Sequence, residues 1–420
     1  MVTIRSDLLL DDAATGIQTG TVGEPSVSAS STGFFVTGNW FATHSEDRGA
    51  SWQFLDPFTE LPADKGRFGC DQVTLRVGRL WVWLLQYEPP APGKGNIQRL
   101  AVSTTGRPGT WRWWDLAPTD LVPSWRSVWF DFPDLGLTRK HLYLTTNVYD
   151  TQDRWVRAVV VRWPRSGLTK AGPLPHEHWT TTTAGSLRPV GGAGTAGAGD
   201  TMWFGSTDLA SSSLRVFAWP DASPSVTQWS VRVSPWDDGD YTAAGVGGVG
   251  GVGGAEWLTR ADDRITGAFR LGSHLGFAWS SGRRAGRPHP FVRCAIIDEA
   301  TLKVVAEPDL WSATGAWAYP ALAPTVSGKV GVAAYFGGQS RPALAVGSLS
   351  GFPPRAGAVP AWDMATVATS SHSPVDGKWG DYLTIRPHPS RRTSWVAVGS
   401  TLQGGTNRRN LEPRVVVFTA

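Results

Sequence analysis

Long apolar runs are absent from this sequence, and no stretch approaches the roughly 18 consecutive apolar residues that identify a membrane-spanning helix. Basic runs are equally scarce, because no run of Lys and Arg exceeds two residues and the net charge is only +4. A surface that binds nucleic acid normally carries a denser basic patch. We therefore expect neither nucleic acid nor a membrane as a partner.

Cysteine is also rare. Cys70 and Cys294 lie far apart in the sequence, and two free, buried thiols are the simplest expectation. Residues 1–14 lack the basic start and apolar segment of an export signal. The protein is therefore either cytoplasmic or an exported protein whose signal has been removed.

Helical periodicity is almost missing. Short alternating or β-branched segments recur instead, separated by Gly, Pro, Asn and Asp; examples are FFVTG, KHLYLTTNVY and VGVAAYF. Glycine and proline are abundant, with 49 and 30 copies among 420 residues. Many short strands with turn signals between them predict an all-β protein.

Two segments of the chain repeat the same pattern without gaps. Glu24-Pro25 leads to Gly33 and a strand, and Tyr319-Pro320 leads to Gly328 and a strand, with equal spacing from Pro to Gly. Similar strand–turn–strand units start near positions 24, 71, 131, 187, 264, 319 and 381. Seven repeats of about blade length predict a seven-bladed β-propeller, with a six-bladed ring as the alternative.

The propeller is expected to be a single domain spanning residues 1–420. The N-terminal strand, residues 2–10, should pair with the last blade and close the ring. The longest repeat contains a Gly-rich insertion at 240–256, with the run GVGGVGGVGG at 245–254. We interpret this run as a lid or a disordered loop.

A further echo is Arg-Pro-His-Pro, which starts at Arg287 and again at Arg386. We expect His289 and His388 to lie where strands begin and to pack against neighbouring residues.

The segment SEDRGASW places Ser45, Asp47, Gly49 and Trp52 in the pattern S-x-D-x-G-x-x-W. Gly49 permits a turn with positive φ, and the Asp47 carboxylate can accept backbone N–H groups within that turn. Trp52 is suited to packing between blades. These residues predict architecture rather than chemistry.

This pattern resembles the Asp box of sialidase-like (BNR) β-propellers, and residues 103–111 resemble a degraded second copy. Trp379-Gly380-Asp381-Tyr382, followed by a strand with Trp395, is similar to the closing blade of bacterial secreted, exo-sialidase-like propellers. The resemblance implies a secreted or periplasmic protein and a box that lies away from the ligand face. The chain departs from true sialidases because Arg5 is followed by Ser6 rather than by Ile-Pro, and no arginine triad can be assigned.

The innermost strand of each propeller blade starts at the ligand-binding face, so the residues that open these strands are the candidates for a site. The candidate catalytic residues are Glu24, Asp71, Asp131, Tyr319, Asp381 and Tyr382. The candidate substrate-binding residues are Arg188, Arg264, Trp40, Trp129 and Trp317.

Three interpretations of these residues stay open. Converging carboxyls with Tyr and Arg could form a site for sugar chemistry, where closely spaced acids supply an acid and a base, and Arg264 holds a uronate-type carboxylate. The acids could instead ring a cation such as Ca²⁺. They could also cap strand ends and bond backbone N–H groups.

The sequence favours a monomeric carbohydrate-active enzyme, a glycosidase or polysaccharide lyase, acting on a glycan or another small molecule at the central face. If the acids form a site for sugar chemistry, the enzyme needs no cofactor. If they ring a cation, Ca²⁺ would lie in the central channel. The alternative function is a non-catalytic ligand-binding or scaffold propeller.

Overall fold

The computed structural model describes residues 1–91, 93–192, 199–208, 210–243, 256–338, 341–355 and 358–420. The predicted Gly-rich run at 245–254 lies outside these residues. The described part of the chain forms seven four-stranded antiparallel sheets. The prediction of an all-β, seven-bladed propeller is confirmed, and the six-bladed alternative is wrong.

The strands follow the chain in order. The sheet that closes the ring begins with β1 (Thr3–Leu9). The next three sheets contain β2 (Ser26–Ala29), β3 (Phe34–Thr37), β4 (Ala42–Ser45) and β5 (Gln53–Leu55); β6 (Phe68–Val77), β7 (Leu80–Tyr87), β8 (Gln98–Ser103) and β9 (Trp111–Leu116); and β10 (Val128–Leu137), β11 (His141–Asp150), β12 (Trp155–Pro164) and β13 (Glu177–Thr181).

Three further sheets contain β14 (Arg188–Pro189), β15 (Thr201–Thr207), β16 (Ser213–Pro220) and β17 (Thr227–Arg232); β18 (Ile265–Leu271), β19 (His274–Ser281), β20 (Phe291–Asp298) and β21 (Val304–Ala306); and β22 (Ala316–Pro324), β23 (Val330–Gly337), β24 (Ala343–Ser350) and β25 (Ala361–Thr369). The last sheet adds β26 (Thr384–Pro387), β27 (Ser394–Leu402) and β28 (Leu411–Thr419) to β1. Two α-helices, α1 (Asp12–Thr15) and α2 (Pro118–Leu121), occur in the described residues.

The ring is closed by both ends of the chain. β1 pairs antiparallel with β28, with Thr3 opposite Thr419 and Leu9 opposite Arg414. The innermost strands β2, β6, β10, β14, β18, β22 and β26 contact one another in this order, and β26 contacts β2. The N-terminal strand is thus the outermost strand of the last sheet.

Tryptophan fills the spaces between the blades. The fully buried copies are Trp83, Trp219, Trp257, Trp279, Trp379 and Trp395. Trp395 on β27 donates its indole N–H to the Ala323 carbonyl of the preceding blade at 2.8 Å, and its ring lies against Gly331. A large ring with one satisfied polar atom is suited to such a site. Much of the tryptophan content is thus explained by packing alone.

The S-x-D-x-G-x-x-W segment forms the turn between β4 and β5. Asp47 accepts the Ser51 amide at 2.9 Å and the hydroxyls of Ser51 and Ser45 at 2.6 and 2.8 Å, and these bonds lower its pKa to about 2. The Arg48 amide donates to Thr32 in the β2–β3 turn, which lies at the end of β2 remote from Glu24. The turn therefore has an architectural role, as predicted from its residues. Residues 103–111 occupy the equivalent place between β8 and β9.

Gly49 offers a test of this architecture. Its φ is 88°, and a Cβ here would lie 2.3 Å from Leu8 Cδ1 on β1. Gly328 has a similar φ of 85° but no heavy atom within 4 Å of its would-be Cβ. We expect Gly49→Ala to lower the free energy of unfolding by roughly 1–3 kcal/mol, and Gly328→Ala by less, because only the first adds a clash to the backbone strain. Urea denaturation measures both, and equal losses would rule out the contact with Leu8.

Candidate active site

The backbone is bent at the start of most inner strands. Five non-glycine residues with positive φ recur there: Glu24, Asp71, Phe132, Ser186 and Tyr319, with φ between 41° and 55°. The ladders shift register beside Asp71, Asp131 and Tyr319. Each such residue costs about 1–3 kcal/mol, and this kind of strain clusters at functional sites. The sequence suggested that Asp71, Asp131 and Tyr319 are the first residues of their strands. They lie instead at these irregular positions inside the strands.

Glu24 and Asp71 form a buried carboxyl pair. Their side chains are hydrogen-bonded to each other, and the two residues are only 5% and 8% exposed. Asn39 fixes both, because its amide Nδ2 donates to Glu24 Oε2 at 2.7 Å and its Oδ1 accepts the Asp71 backbone N–H at 3.3 Å. Two carboxyl groups can bond in this way only when a proton lies between them.

The electrostatics of the pair favour that proton. Burial, followed by the charge of Asp381, raises the pKa of Glu24 to about 7. Burial and the neighbouring Glu24 raise the pKa of Asp71 well above its usual range. The pair therefore holds a proton near neutral pH, which is the state required of a general acid.

Asp381 is held in the opposite state. Burial disfavours its ionised form, but Arg260 and Arg264 outweigh that effect and lower its pKa. Arg260 donates from Nε to Oδ1 and from Nη2 to Oδ2, both at 3.1 Å, and Arg264 Nη2 lies 3.1 Å from Oδ2. A protonated acid pair and an ionised carboxylate thus lie in one cluster.

Two of the three guanidinium nitrogens of Arg264 are bound to carboxylates of the protein. Its Nε donates to Asp262 Oδ2 at 2.6 Å, its Nη2 pairs with Asp381, and its guanidinium lies 4.4 Å from the centre of the Phe132 ring. The sequence assigned this arginine to substrate binding. Its contacts also position the Asp381 carboxylate.

Asp131 is the candidate acid with the greatest access to solvent. Gln86 Nε2 donates to its Oδ1 at 2.7 Å, and Gln98 in turn donates to the Gln86 carbonyl oxygen at 3.0 Å. Burial raises its pKa, whereas the Gln86 hydrogen bond and the Arg264 charge oppose that rise. Asp131 also contributes to the raised pKa of Asp71, so it belongs to the same cluster.

Tyr319 and Tyr382 complete the cluster as neutral phenols. Burial and nearby carboxylates raise the pKa of both hydroxyls well above their usual value. Both hydroxyl oxygens are buried, and among the described residues neither has a hydrogen-bond partner. Tyr382 packs edge-on against Phe132 at 6.2 Å. Such phenols can donate a hydrogen bond but do not ionise readily.

The three tryptophans predicted to bind substrate lie in different environments. Trp129 stacks on Tyr149 at 5.1 Å, and the charges of Asp131 and Arg264 act on the Tyr149 hydroxyl, so this pair borders the cluster. Trp40 covers Gly20 on the same face, next to Asn39. Trp317 is 8% exposed and packs at 4.6 Å on Phe336 in the apolar core, so no sugar can stack on it.

Arg188 belongs to another group. It pairs with Asp134 at 2.9 Å, in a position where its charge acts on Arg386. The structure thus brings together Glu24, Asp71, Asp131, Tyr319, Asp381, Tyr382 and Arg264, while Arg188 and Trp317 lie outside this set.

Four contributors were missed from the sequence: Asn39, Gln86, Arg260 and Asp262. A signal for two of them was present, because Arg260-Ala-Asp262-Asp-Arg264 alternates charges immediately before β18. Asn39 follows β3 and Gln86 lies near the end of β7 in another sheet, and no local pattern identifies them.

Within the described ranges, no group of three or more His, Cys, Asp or Glu side chains is arranged to hold a metal ion. Cys70 and Cys294 are both free thiols, as expected, but only Cys294 is buried, and Cys70 is partly exposed. No helix in the part of the chain that the structure describes is long and apolar enough to span a membrane.

No protein-family model and no curated protein matches the chain. Among solved structures, similar chains include the GH93 α-L-arabinofuranosidase of Fusarium graminearum in complex with arabinobiose, at 9% identity over 99% of this chain and 97% of that chain, with a TM-score of 0.48. A PL25 ulvan lyase is 9% identical over 96% and 94% of the two chains, with a TM-score of 0.49. An α-L-arabinanase of Penicillium chrysogenum is 9% identical over 99% and 98%, with a TM-score of 0.44. At such identities no residue of the site can be transferred from these proteins.

The raised pKa of Glu24 predicts how stability depends on pH. A protonated Glu24 stabilises the folded state fully below its unfolded pKa, near 4.5, and this contribution is lost as the pH rises through about 7. We expect the free energy of unfolding of the parent to fall by up to about 3 kcal/mol across this window relative to Glu24→Gln, which carries no titrating group there.

The measurement is urea denaturation of both proteins at pH 4 to 8 in steps. The difference between the two curves cancels the contribution of other groups that titrate in the same window. Glu256 is one of them, because burial raises its pKa to about 7. A difference that is constant with pH would contradict a protonated Glu24.

Proposed function

We propose that this protein is a glycoside hydrolase whose reaction takes place at the acid cluster. The observation that carries the proposal is the buried Glu24–Asp71 pair, whose raised pKa values favour a bound proton, beside Asp381, whose pKa Arg260 and Arg264 lower. Hydrolysis of a glycosidic bond needs a proton for the leaving oxygen and negative charge near the sugar, because the transition state resembles an oxocarbenium ion. The cluster holds both.

Each acid has a distinct role in this proposal. Glu24 and Asp71 are in hydrogen-bond contact, whereas the two carboxyls that flank a glycosidic bond lie about 5 Å or more apart. The pair therefore acts as one unit and supplies the proton. Asp131, the more accessible acid, is the second carboxyl and acts as nucleophile or base. Asp381 stays ionised and stabilises positive charge on the sugar.

The contacts of the arginines favour hydrolysis over polysaccharide lyase chemistry. A lyase must neutralise the uronate carboxylate beside the abstracted proton, which is a task for a free cation or a metal ion. Arg260 and Arg264 are already bonded to Asp381 and Asp262. With five carboxyl groups and two arginines, the cluster suits a neutral sugar better than a uronate.

Two finer proposals come from the sequence resemblance. We propose that the chain belongs among the sialidase-like, Asp-box propellers and that it acts outside the cytoplasm. The turn at Asp47, with its three side-chain and backbone bonds, supports the first of these. The occupied arginines speak against cleavage of sialic acid itself, since its carboxylate needs free guanidinium groups.

The test is an activity panel of neutral and uronate-bearing polysaccharides, with arabinan and ulvan among them. Hydrolysis yields reducing ends alone, whereas a lyase also yields unsaturated uronates that absorb in the ultraviolet. Reducing ends from a neutral glycan would support the proposal. Unsaturated products would replace it with a lyase, and no turnover on any glycan would favour the non-catalytic propeller.

A further inference from the structure

The mouth of the central channel opposite the acid cluster contains a cavity. Its volume is about 450 Å³, and it is lined by the far ends of six inner strands or by the residues that follow them. The polar lining includes Ser28, Arg76, Arg386, His388 and Arg392. Pockets of this size hold ligands as large as a small sugar or cofactor fragment.

The charged side chains at this mouth are all basic. No Asp or Glu lines the cavity or the smaller pocket of about 200 Å³ beside it, which adds Arg5, Arg48 and Arg391. Among the residues that the structure describes, none of these six arginines forms an ion pair. Positive charge collected in a concave surface attracts anions.

Three buried polar atoms of this lining are left without a partner. They are Arg386 Nε, Arg76 Nη1 and Ser28 Oγ, and they belong to three different blades. Buried polar atoms are normally satisfied, so three unpaired ones on residues that line one cavity point to a ligand. The Arg76 guanidinium is held by the Trp81 ring at 4.1 Å, which leaves its donor edges available.

The pKa of His388 is affected by the positive charge at this mouth. Burial, followed by the charges of Arg391 and Arg48, lowers its pKa to about 4. The sequence placed His388 near a strand start, packed against its neighbours. It instead follows the end of β26 and lines the cavity.

We infer that this mouth is an anion-binding site for a small organic molecule with a carboxylate, sulfate or phosphate group. Arg76 and Arg386 would bind the oxyanion, since a guanidinium fork matches two of its oxygens. Leu75, Leu135 and Val326 supply an apolar wall for the body of the ligand. The site is separate from the acid cluster and does not depend on glycoside hydrolysis.

Isothermal titration calorimetry of the whole chain tests this site, with sodium phosphate, sodium sulfate, glucuronate and uncharged glucose as probes at constant ionic strength. We expect saturable binding of the anions and none of glucose. Arg76→Gln and Arg392→Gln should each weaken phosphate binding about tenfold. Arg76→Lys keeps the charge but loses the guanidinium fork. Its affinity for phosphate should lie between that of Arg76→Gln and that of the parent.

Arg232→Gln is the matched control, because Arg232 is exposed, lines neither pocket and has no ion pair in the described chain. It should bind phosphate as the parent does. Glu24→Gln should also bind normally, so failure of the hydrolase proposal would leave this result intact. Absence of saturable heat with every anion, or an equal loss in Arg232→Gln and Arg76→Gln, would overturn the site.

Discussion

Replacing Glu24 by Gln is expected to lower kcat/KM on the glycan substrate by about 10²–10⁴-fold, the usual contribution of a general acid. Gln keeps the shape of the side chain and can still bond Asn39, but it cannot donate a proton to a leaving oxygen. Asp71→Asn should produce a similar loss, because the two carboxyls share one proton. The measurement is steady-state kinetics of each variant beside the parent.

The double variant Glu24→Gln/Asp71→Asn distinguishes a shared proton from two independent acids. If the pair acts as one unit, the double variant should lose little more than the worse single variant. Multiplied losses would contradict this. Asp200→Asn is the control, since Asp200 is exposed in a surface pair with Arg139 and should leave kcat/KM unchanged. Full activity in both single variants would remove the proposed proton donor.

Replacing Asp381 by Asn is expected to shift the pH dependence of activity to lower pH. The Asp381 charge is the second cause of the raised pKa of Glu24, after burial, and Arg260 acts in the other direction. Without Asp381, both arginines lose a counter-charge, so Glu24 loses its proton more easily. The alkaline limb of kcat/KM, where the proton donor ionises, should move to lower pH by on the order of one unit.

Asp262→Asn is the matched comparison for this shift. Asp262 also bonds Arg264, yet it is absent from the main influences on the pKa of Glu24. The rate constant of Asp262→Asn can change, but the alkaline limb of its kcat/KM profile should stay at the same pH as in the parent. A limb that moves to higher pH in Asp381→Asn, or that moves equally in both variants, would mean that Asp381 does not control the proton of Glu24.

The number of blades could be predicted from the sequence because each inner strand begins with a local signal. Pro25 lies just before β2 and Pro320 lies inside β22, each at the same spacing from a Gly turn, and the seven predicted starts all lie in or just before an inner strand. The blade is a unit of local contacts, so its signal is local as well. The outermost strand of the last sheet was predictable for a different reason: a propeller must close.

The site was harder to predict, since its geometry depends on contacts between blades. The sequence could place Glu24, Asp71 and Asp381 at one face, but not the hydrogen bond that couples the first two. It could not show that Arg264 is already occupied by Asp262, or that Trp317 faces the core. Burial, which sets the pKa of each acid, is a property of the assembled ring.

The pairing of β1 with β28 has a consequence for biosynthesis. β1 lies far before its partner β28 in the sequence, so it has no partner until β28 has been made. During that time its backbone N–H and C=O groups form an open edge that other chains could join. The alternating exposed positions of β1 include Arg5 and Asp7, and charges of this kind on an edge strand discourage aggregation until β28 has been made.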